Sequence, residues 1–147
     1  MRSNLNLIII DSNFLLLPFQ FKIDYFNEIR MKLEGLIRFV IFKQVLDELE
    51  AKRKREPNAN KFIQQLNAGL SYIDKNKENY EIDFNKDVKT KNESTDEFIL
   101  RRSIELKNEG YNIYIATNDF ELRKKAKLLK ISSICLRQKK FLSIDKA

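Results

Sequence analysis

The sequence contains no histidine. That removes serine–histidine and cysteine–histidine catalysis, and every imidazole-ligated metal site. Glycine is scarce, with only Gly35, Gly69 and Gly110. None of them lies in a GxxxxGK or GxGxxG pattern, so glycine-rich phosphate cradles of those kinds are absent. The single cysteine, Cys135, sits in the apolar run 131–136. It has no partner for an internal disulfide and reads as a core residue suited to a reducing cytoplasm. Long hydrophobic runs are missing too. The longest early one, residues 7–10, is too short for a signal-peptide core or a membrane span. The expectation is a cytoplasmic protein with no membrane partner.

What remains is ample for one domain over residues 1–147, with little room for a second. Hydrophobic residues make up 43%, and 11 Phe and 5 Tyr add bulk to a core. Twenty-eight Lys and Arg stand against 21 Asp and Glu, a net charge of +7. That excess favours polyanionic partners such as nucleic acid, and equally describes a solvated basic face. With histidine absent and cysteine isolated, catalytic chemistry falls to carboxylates, Lys, Ser, Thr or Tyr.

The apolar pattern alternates between strand and helix signals. Residues 7–10, 37–42, 111–116 and 131–136 read as buried strands, and 80–84 as a shorter one. Residues 22–33, 43–55, 60–74 and 120–129 read as helices, as does a segment opened by Ser94 and stopped by Gly110. Ser94 with Glu97 forms a capping-box pattern, and Asn118 with Glu121 resembles a second. Pro18 limits any helix after 14–17. Residues 85–93 read as a mobile polar loop, and 137–140 as a basic tail before an apolar end. The alternation predicts an α/β fold, a parallel sheet with helices on both faces and its ligand site at the carboxyl ends of the strands.

Two acids fall at such ends, Asp11 and Asp119, and Glu48 and Asp96 lie on or near adjoining helix starts. Each has a plain structural reading alone. Asp11 caps a turn, Glu48 pairs with Lys52, and Asp96 and Asp119 complement helix termini. Together they carry more. A like-charge pair at roughly 4 Å costs about 4 kcal/mol at an effective dielectric of 20. Such a cluster takes up protons or holds a hard cation: magnesium, manganese or calcium. Magnesium or manganese so held is suited to phosphodiester hydrolysis by activated water.

The motifs around these acids, in order, are Ile-Ile-Ile-Asp-Ser-Asn-Phe-Leu-Leu at 8–16, Val-Leu-Asp-Glu-Leu-Glu at 45–50, Thr-Asp-Glu-Phe-Ile-Leu at 95–100 and Ile-Ala-Thr-Asn-Asp-Phe-Glu-Leu-Arg at 115–123. Over nearly its whole length the chain resembles the PIN domain family. The fourth motif with Leu-Arg-Gln-Lys-Lys at 136–140 is similar to an archaeal branch related to ribosome-maturation nucleases, with VapC-like toxins as the neighbouring branch. The resemblance implies a three-layer α/β/α sandwich with a central, mostly parallel sheet. It also implies a metal-dependent endoribonuclease acting in rRNA processing or as a toxin. It places Mg2+ or Mn2+ on Asp11, Glu48, Asp96 and Asp119. Ser12, Thr117 and Asn118 support them, and Glu97 is an auxiliary acid where relatives often carry a second Asp. Family members are commonly dimers, and an antitoxin or a ribosome-maturation partner would follow from the two roles. A catalytically silent RNA-binding or scaffold module is the alternative.

Three basic runs, 52–55, 123–127 and 137–140, are candidates for RNA phosphates, with Arg123, Lys124, Arg137 and Lys139 foremost. Few aromatics are interleaved with them in sequence. Base stacking is therefore not signalled, and the expectation is backbone binding with little base readout and specificity from RNA shape.

Overall fold

The structure, a computed structural model, describes residues 4–147. Among the described residues, six strands form one sheet in the order β3-β2-β1-β4-β5-β6. The strands are β1 (Leu5–Ile10), β2 (Leu36–Phe42), β3 (Ile82–Asn85), β4 (Asn112–Ala116), β5 (Ser132–Arg137) and β6 (Phe141–Asp145). The helices are α1 (Leu17–Gln20), α2 (Tyr25–Lys32), α3 (Lys43–Arg55), α4 (Asn60–Asn76), α5 (Thr95–Asn108) and α6 (Phe120–Leu128). All neighbouring strands are parallel except the β5–β6 pair. This is the three-layer α/β/α arrangement that the alternation of strand and helix signals predicts.

β2 shows how one strand serves both layers. Successive side chains leave a strand on opposite faces. Phe39 packs edge-on against Phe26 of α2, and Phe42 packs edge-on against Phe98 of α5. β1 is covered on both sides in the same way: Ile8, Ile9 and Ile10 are all fully buried. Hence its sequence is a continuous apolar run rather than an alternating one.

The topology fixes where a ligand can approach. The chain steps outward from β1 to β2 and β3, then returns through α5 to β4 on the other side of β1. The connections diverge between β1 and β4, leaving a crevice beyond their carboxyl ends. Asp11 and the segment 117–119 lie there.

The middle of α4 depends on a glycine. Gly69 lies inside that helix, where alanine is normally preferred by about 1 kcal/mol. A Cβ there would stand 2.2 Å from the Leu15 carbonyl oxygen. Only glycine lets α4 lie directly on the 3-10 turn at Phe14–Leu16 that follows Ser12 and Asn13. Pro18 does not prevent the short α1; it occupies its first turn, where a missing N–H costs nothing.

Two expectations change. The segment after 137 is not a tail but a hairpin, with β6 returning antiparallel along β5. Its turn places Gln138 and Lys139 at φ 53° and 58°, without the Asn-Gly pair that usually marks such a turn. The loop at 86–93 is tied to α5 by Glu93–Arg101 at 2.8 Å and Asp87–Arg102 at 3.0 Å. Among the described residues, no helix is long and apolar enough to cross a membrane.

Candidate active site

Asp11 is 5% exposed and ends β1, its N–H bonded to the Ala116 carbonyl of β4. Its Oδ1 accepts the Ser12 N–H at 2.8 Å. Its Oδ2 accepts the Thr117 hydroxyl at 2.8 Å and the Asn13 amide at 3.2 Å. A carboxylate has about four acceptor positions. Asp11 thus keeps unused capacity toward the crevice.

Thr117, fully buried, also accepts the Asp119 N–H at 3.0 Å. Asp119 is the N-cap of α6, its Oδ1 accepting from Glu121 N at 2.9 Å and Leu122 N at 3.3 Å. The expected capping pair of Asn118 with Glu121 is therefore replaced. Asn118 is instead a strap: its Oδ1 accepts the Leu136 N–H at 2.8 Å, holding the end of β4 to β5.

α3 begins directly where β2 ends, with no intervening loop, and so carries Glu48 close to the strand end. The hydroxyl of Thr95, at the start of α5, donates to Glu48 Oε1. No ion pair joins Glu48 to Lys52 among the described residues, so the simple surface pairing does not form. Asp96 occupies the first turn of α5 and is half-buried, and its carboxylate has no hydrogen-bond partner among the described residues. Glu97 points back to its own helix end, accepting the Ser94 N–H at 3.0 Å in the expected capping box. It serves the helix rather than the acidic group.

The electrostatics link the acids. Burial raises the Asp11 carboxyl above its ordinary range; Asp96 and Asp119 push it further, while bonds from Thr117 and Ser12 oppose them. Burial likewise raises Asp96, with Asp119 and Glu48 adding repulsion and Lys125 of α6 countering it. Four oxygen-donor side chains therefore share one end of the sheet, and their neighbours destabilise the charges of Asp11 and Asp96. Among the described residues no three of them form a ready-made cation cage. The donor chemistry still fits a hard divalent cation: oxygen ligands only, mutual repulsion, and an unpartnered carboxylate at Asp96.

Two basic regions flank the acids. Arg123, Lys124, Lys127 and Arg137 line a recess of about 320 Å³ with Phe120 and one acid, Asp145, which lies 4.0 Å from the Lys127 ammonium. Arg123 Nε is buried there without a hydrogen-bond partner among the described residues. Lys139 lies elsewhere, its ammonium 6.0 Å from the ring centre of Phe21. On the other flank, a cleft of about 490 Å³ runs from Ser12, Asn13 and Glu48 to Lys52, Arg55 and Phe62.

Sequence reasoning missed three contributors. Asn13, given no role in the sequence reading, bridges Asp11, Thr117 (3.3 Å) and the Asn118 N–H (2.9 Å). Thr95, likewise given none, holds Glu48. Aromatics, sparse beside the basic runs in sequence, meet them in space: Lys52 lies 4.4 Å from the Phe62 ring centre and Arg123 5.7 Å from that of Phe120. Two aromatic rings thus stand beside the basic runs although the sequence does not signal base stacking.

A family model described as a PIN-like domain matches residues 8–139. No curated protein matches the chain. The structure of the PIN domain endonuclease Utp24 is similar to this one, with a TM-score of 0.65 and 23% sequence identity over 96% of this chain and 92% of that one. At that identity the likeness speaks for the fold.

Proposed function

The chain belongs to the PIN-like domain family, and from that premise we propose that it is a metal-dependent endoribonuclease. The observation that carries the proposal is the state of Asp96. It is half-buried, without a hydrogen-bond partner, and repelled by Asp119 and Glu48 beside the raised Asp11. A group so placed is stabilised by a cation.

Asp11, Asp96 and Asp119 would hold Mg2+ or Mn2+, and Glu48 would hold a second ion or orient the water. When bound, such an ion supplies Lewis acidity and makes hydroxide accessible at neutral pH. The chain's own residues prepare the place. Thr117 and Asn13 fix the Asp11 carboxylate. Thr95 fixes Glu48. Asp119 is set by the α6 terminus, with Oδ2 free of protein donors among the described residues. No protein nucleophile is required.

RNA is the substrate in this reading, in rRNA processing or as the target of a VapC-like toxin. The +7 charge and the recess at Arg123, Lys124 and Arg137 support a polyanion. Lys139, on the hairpin turn, extends the basic surface at the same end of the sheet.

The test is cleavage of labelled structured and single-stranded RNAs in manganese, magnesium or EDTA, beside an identically purified Asp11→Asn variant. Metal-dependent cleavage that the variant lacks is the expected outcome. Cleavage equal in both points to a contaminant. Binding without cleavage by either, in every metal, moves the chain to the RNA-binding module.

A further inference from the structure

The nuclease reading leaves the cleft at Phe62 unused. Its wall is one stripe of α3: Glu48, Lys52 and Arg55 follow at spacings of four and three, along about 10 Å of helix. The acid and two cations therefore face the same space. Arg53 does not; it is held by Glu50 and Asn67 outside the cleft. Arg55 has only a 3.9 Å approach to exposed Glu56, and Lys52 makes no ion pair among the described residues. The opposite wall is Phe62 of α4, partly buried against the core, with the Lys52 ammonium resting over its ring.

We propose that this cleft is a nucleobase subsite, in which an unpaired nucleotide of the RNA stacks its base on Phe62 beside the four acids. Lys52 and Arg55 take the adjoining phosphates. The proposal rests on the nuclease reading for its substrate. The cleft volume lies within the range of roughly 300–1,000 Å³ typical of small-molecule sites. A base stacked on an aromatic ring outweighs an exposed ammonium on the same ring, so the base displaces Lys52, which is then free for phosphate. Stacking of this kind is tolerant of base identity, because every base offers a π-face.

The experiment uses the full chain carrying Asp11→Asn, so that binding is read without cleavage. The probe is a short oligouridylate with 2-aminopurine at successive positions, followed by fluorescence. One position should be quenched on binding. Phe62→Leu should abolish that quench and weaken affinity about 5–150-fold, the range of one stacked base. Phe62→Tyr, which keeps the ring, should bind and quench like the parent. An abasic nucleotide at the quenched position should weaken the parent by the same factor and add nothing in Phe62→Leu.

Unchanged affinity in Phe62→Leu, or independent losses from the abasic nucleotide and the variant, overturns the subsite. Metal-dependent cleavage by the unsubstituted chain would then still stand. Equal affinity for 2-aminopurine riboside 5′-monophosphate alone overturns the strand reading in favour of a mononucleotide pocket. Absence of both oligonucleotide binding and cleavage overturns the nuclease reading and the subsite with it.

Discussion

The Thr117 hydroxyl donates to Asp11 Oδ2 at 2.8 Å across the seam between β1 and β4, and both residues are buried. The same hydroxyl oxygen accepts the Asp119 N–H. One side chain thus sets the position of two of the four acids.

Thr117→Val keeps the shape and removes the hydroxyl. It leaves the Asp119 N–H without its acceptor and Asp11 with one donor fewer. The expected cost is about 1–3 kcal/mol of stability, read by denaturant unfolding. Metal-dependent cleavage should fall about 10–100-fold, as is usual when a residue orienting a metal ligand is lost. Thr117→Ser should restore most of both. Full activity in Thr117→Val would remove the hydroxyl from the argument.

Asp11→Asn should stabilise the metal-free protein. Burial and the neighbouring acids raise the Asp11 carboxyl above its ordinary 3.8. Between that value and the raised one, the folded state binds more protons than the unfolded chain. Stability therefore falls as pH rises through this interval. The asparagine variant escapes this loss. In EDTA its melting temperature should exceed that of the unsubstituted chain by a few degrees at about pH 7, with the gap narrowing as the pH is lowered toward the ordinary carboxylate value of 3.8. Glu93, paired with Arg101, and Glu97 in its capping box shift the other way, and the difference between the two proteins cancels them. Added Mn2+ should reverse the order, since only the intact site gains from binding. A variant less stable than its parent in EDTA at neutral pH would contradict this account.

Gly69→Ala should destabilise, opposite to the usual effect of alanine in a helix. The new Cβ meets the Leu15 carbonyl, a backbone atom that moves only with its segment. Overpacking of this kind costs about 1–3 kcal/mol. Because Leu15 follows Ser12 and Asn13, cleavage should fall along with the melting temperature. An alanine variant as stable and active as the parent would show that α4 shifts freely.

Arg123→Ala and Arg137→Ala should weaken RNA binding and flatten its salt dependence. On single strands each lost phosphate contact reduces the slope of log K against log salt by about 0.7. Titrations at several salt concentrations would measure this. An unsubstituted chain whose affinity is independent of salt would sink the role of the basic recess.

Much of the frame was legible from pattern alone. α3 has the bounds its periodicity predicts, and β1, β2 and β4 lie within two residues of theirs. The four acids stand in motifs whose order and strand-end positions are visible in the chain. The remainder was hidden because it depends on partners far away in sequence. Asn13 looks like any turn residue until its oxygen meets the Asn118 N–H, 105 residues later. Thr95 shows its purpose only against Glu48, and Asn118 only against Leu136. β6 escaped notice because Gln138 and Lys139 adopt positive φ without the residues that favour it. The neighbouring strand, not the turn sequence, dictates that hairpin.

The placement of Asp11 and Thr117 just beyond the ends of adjacent strands has a consequence for a chain still being made. They are 106 residues apart. At roughly 5–20 residues per second, the first acid is synthesised several seconds or more before its partners exist. β1 meanwhile pairs only with β2, and the crevice beside it has no second wall. A nascent chain thus lacks the assembled acids until β4 and α6 have emerged. For a protein proposed to cut RNA, this delay keeps the growing polypeptide harmless to the message and the ribosome that are producing it.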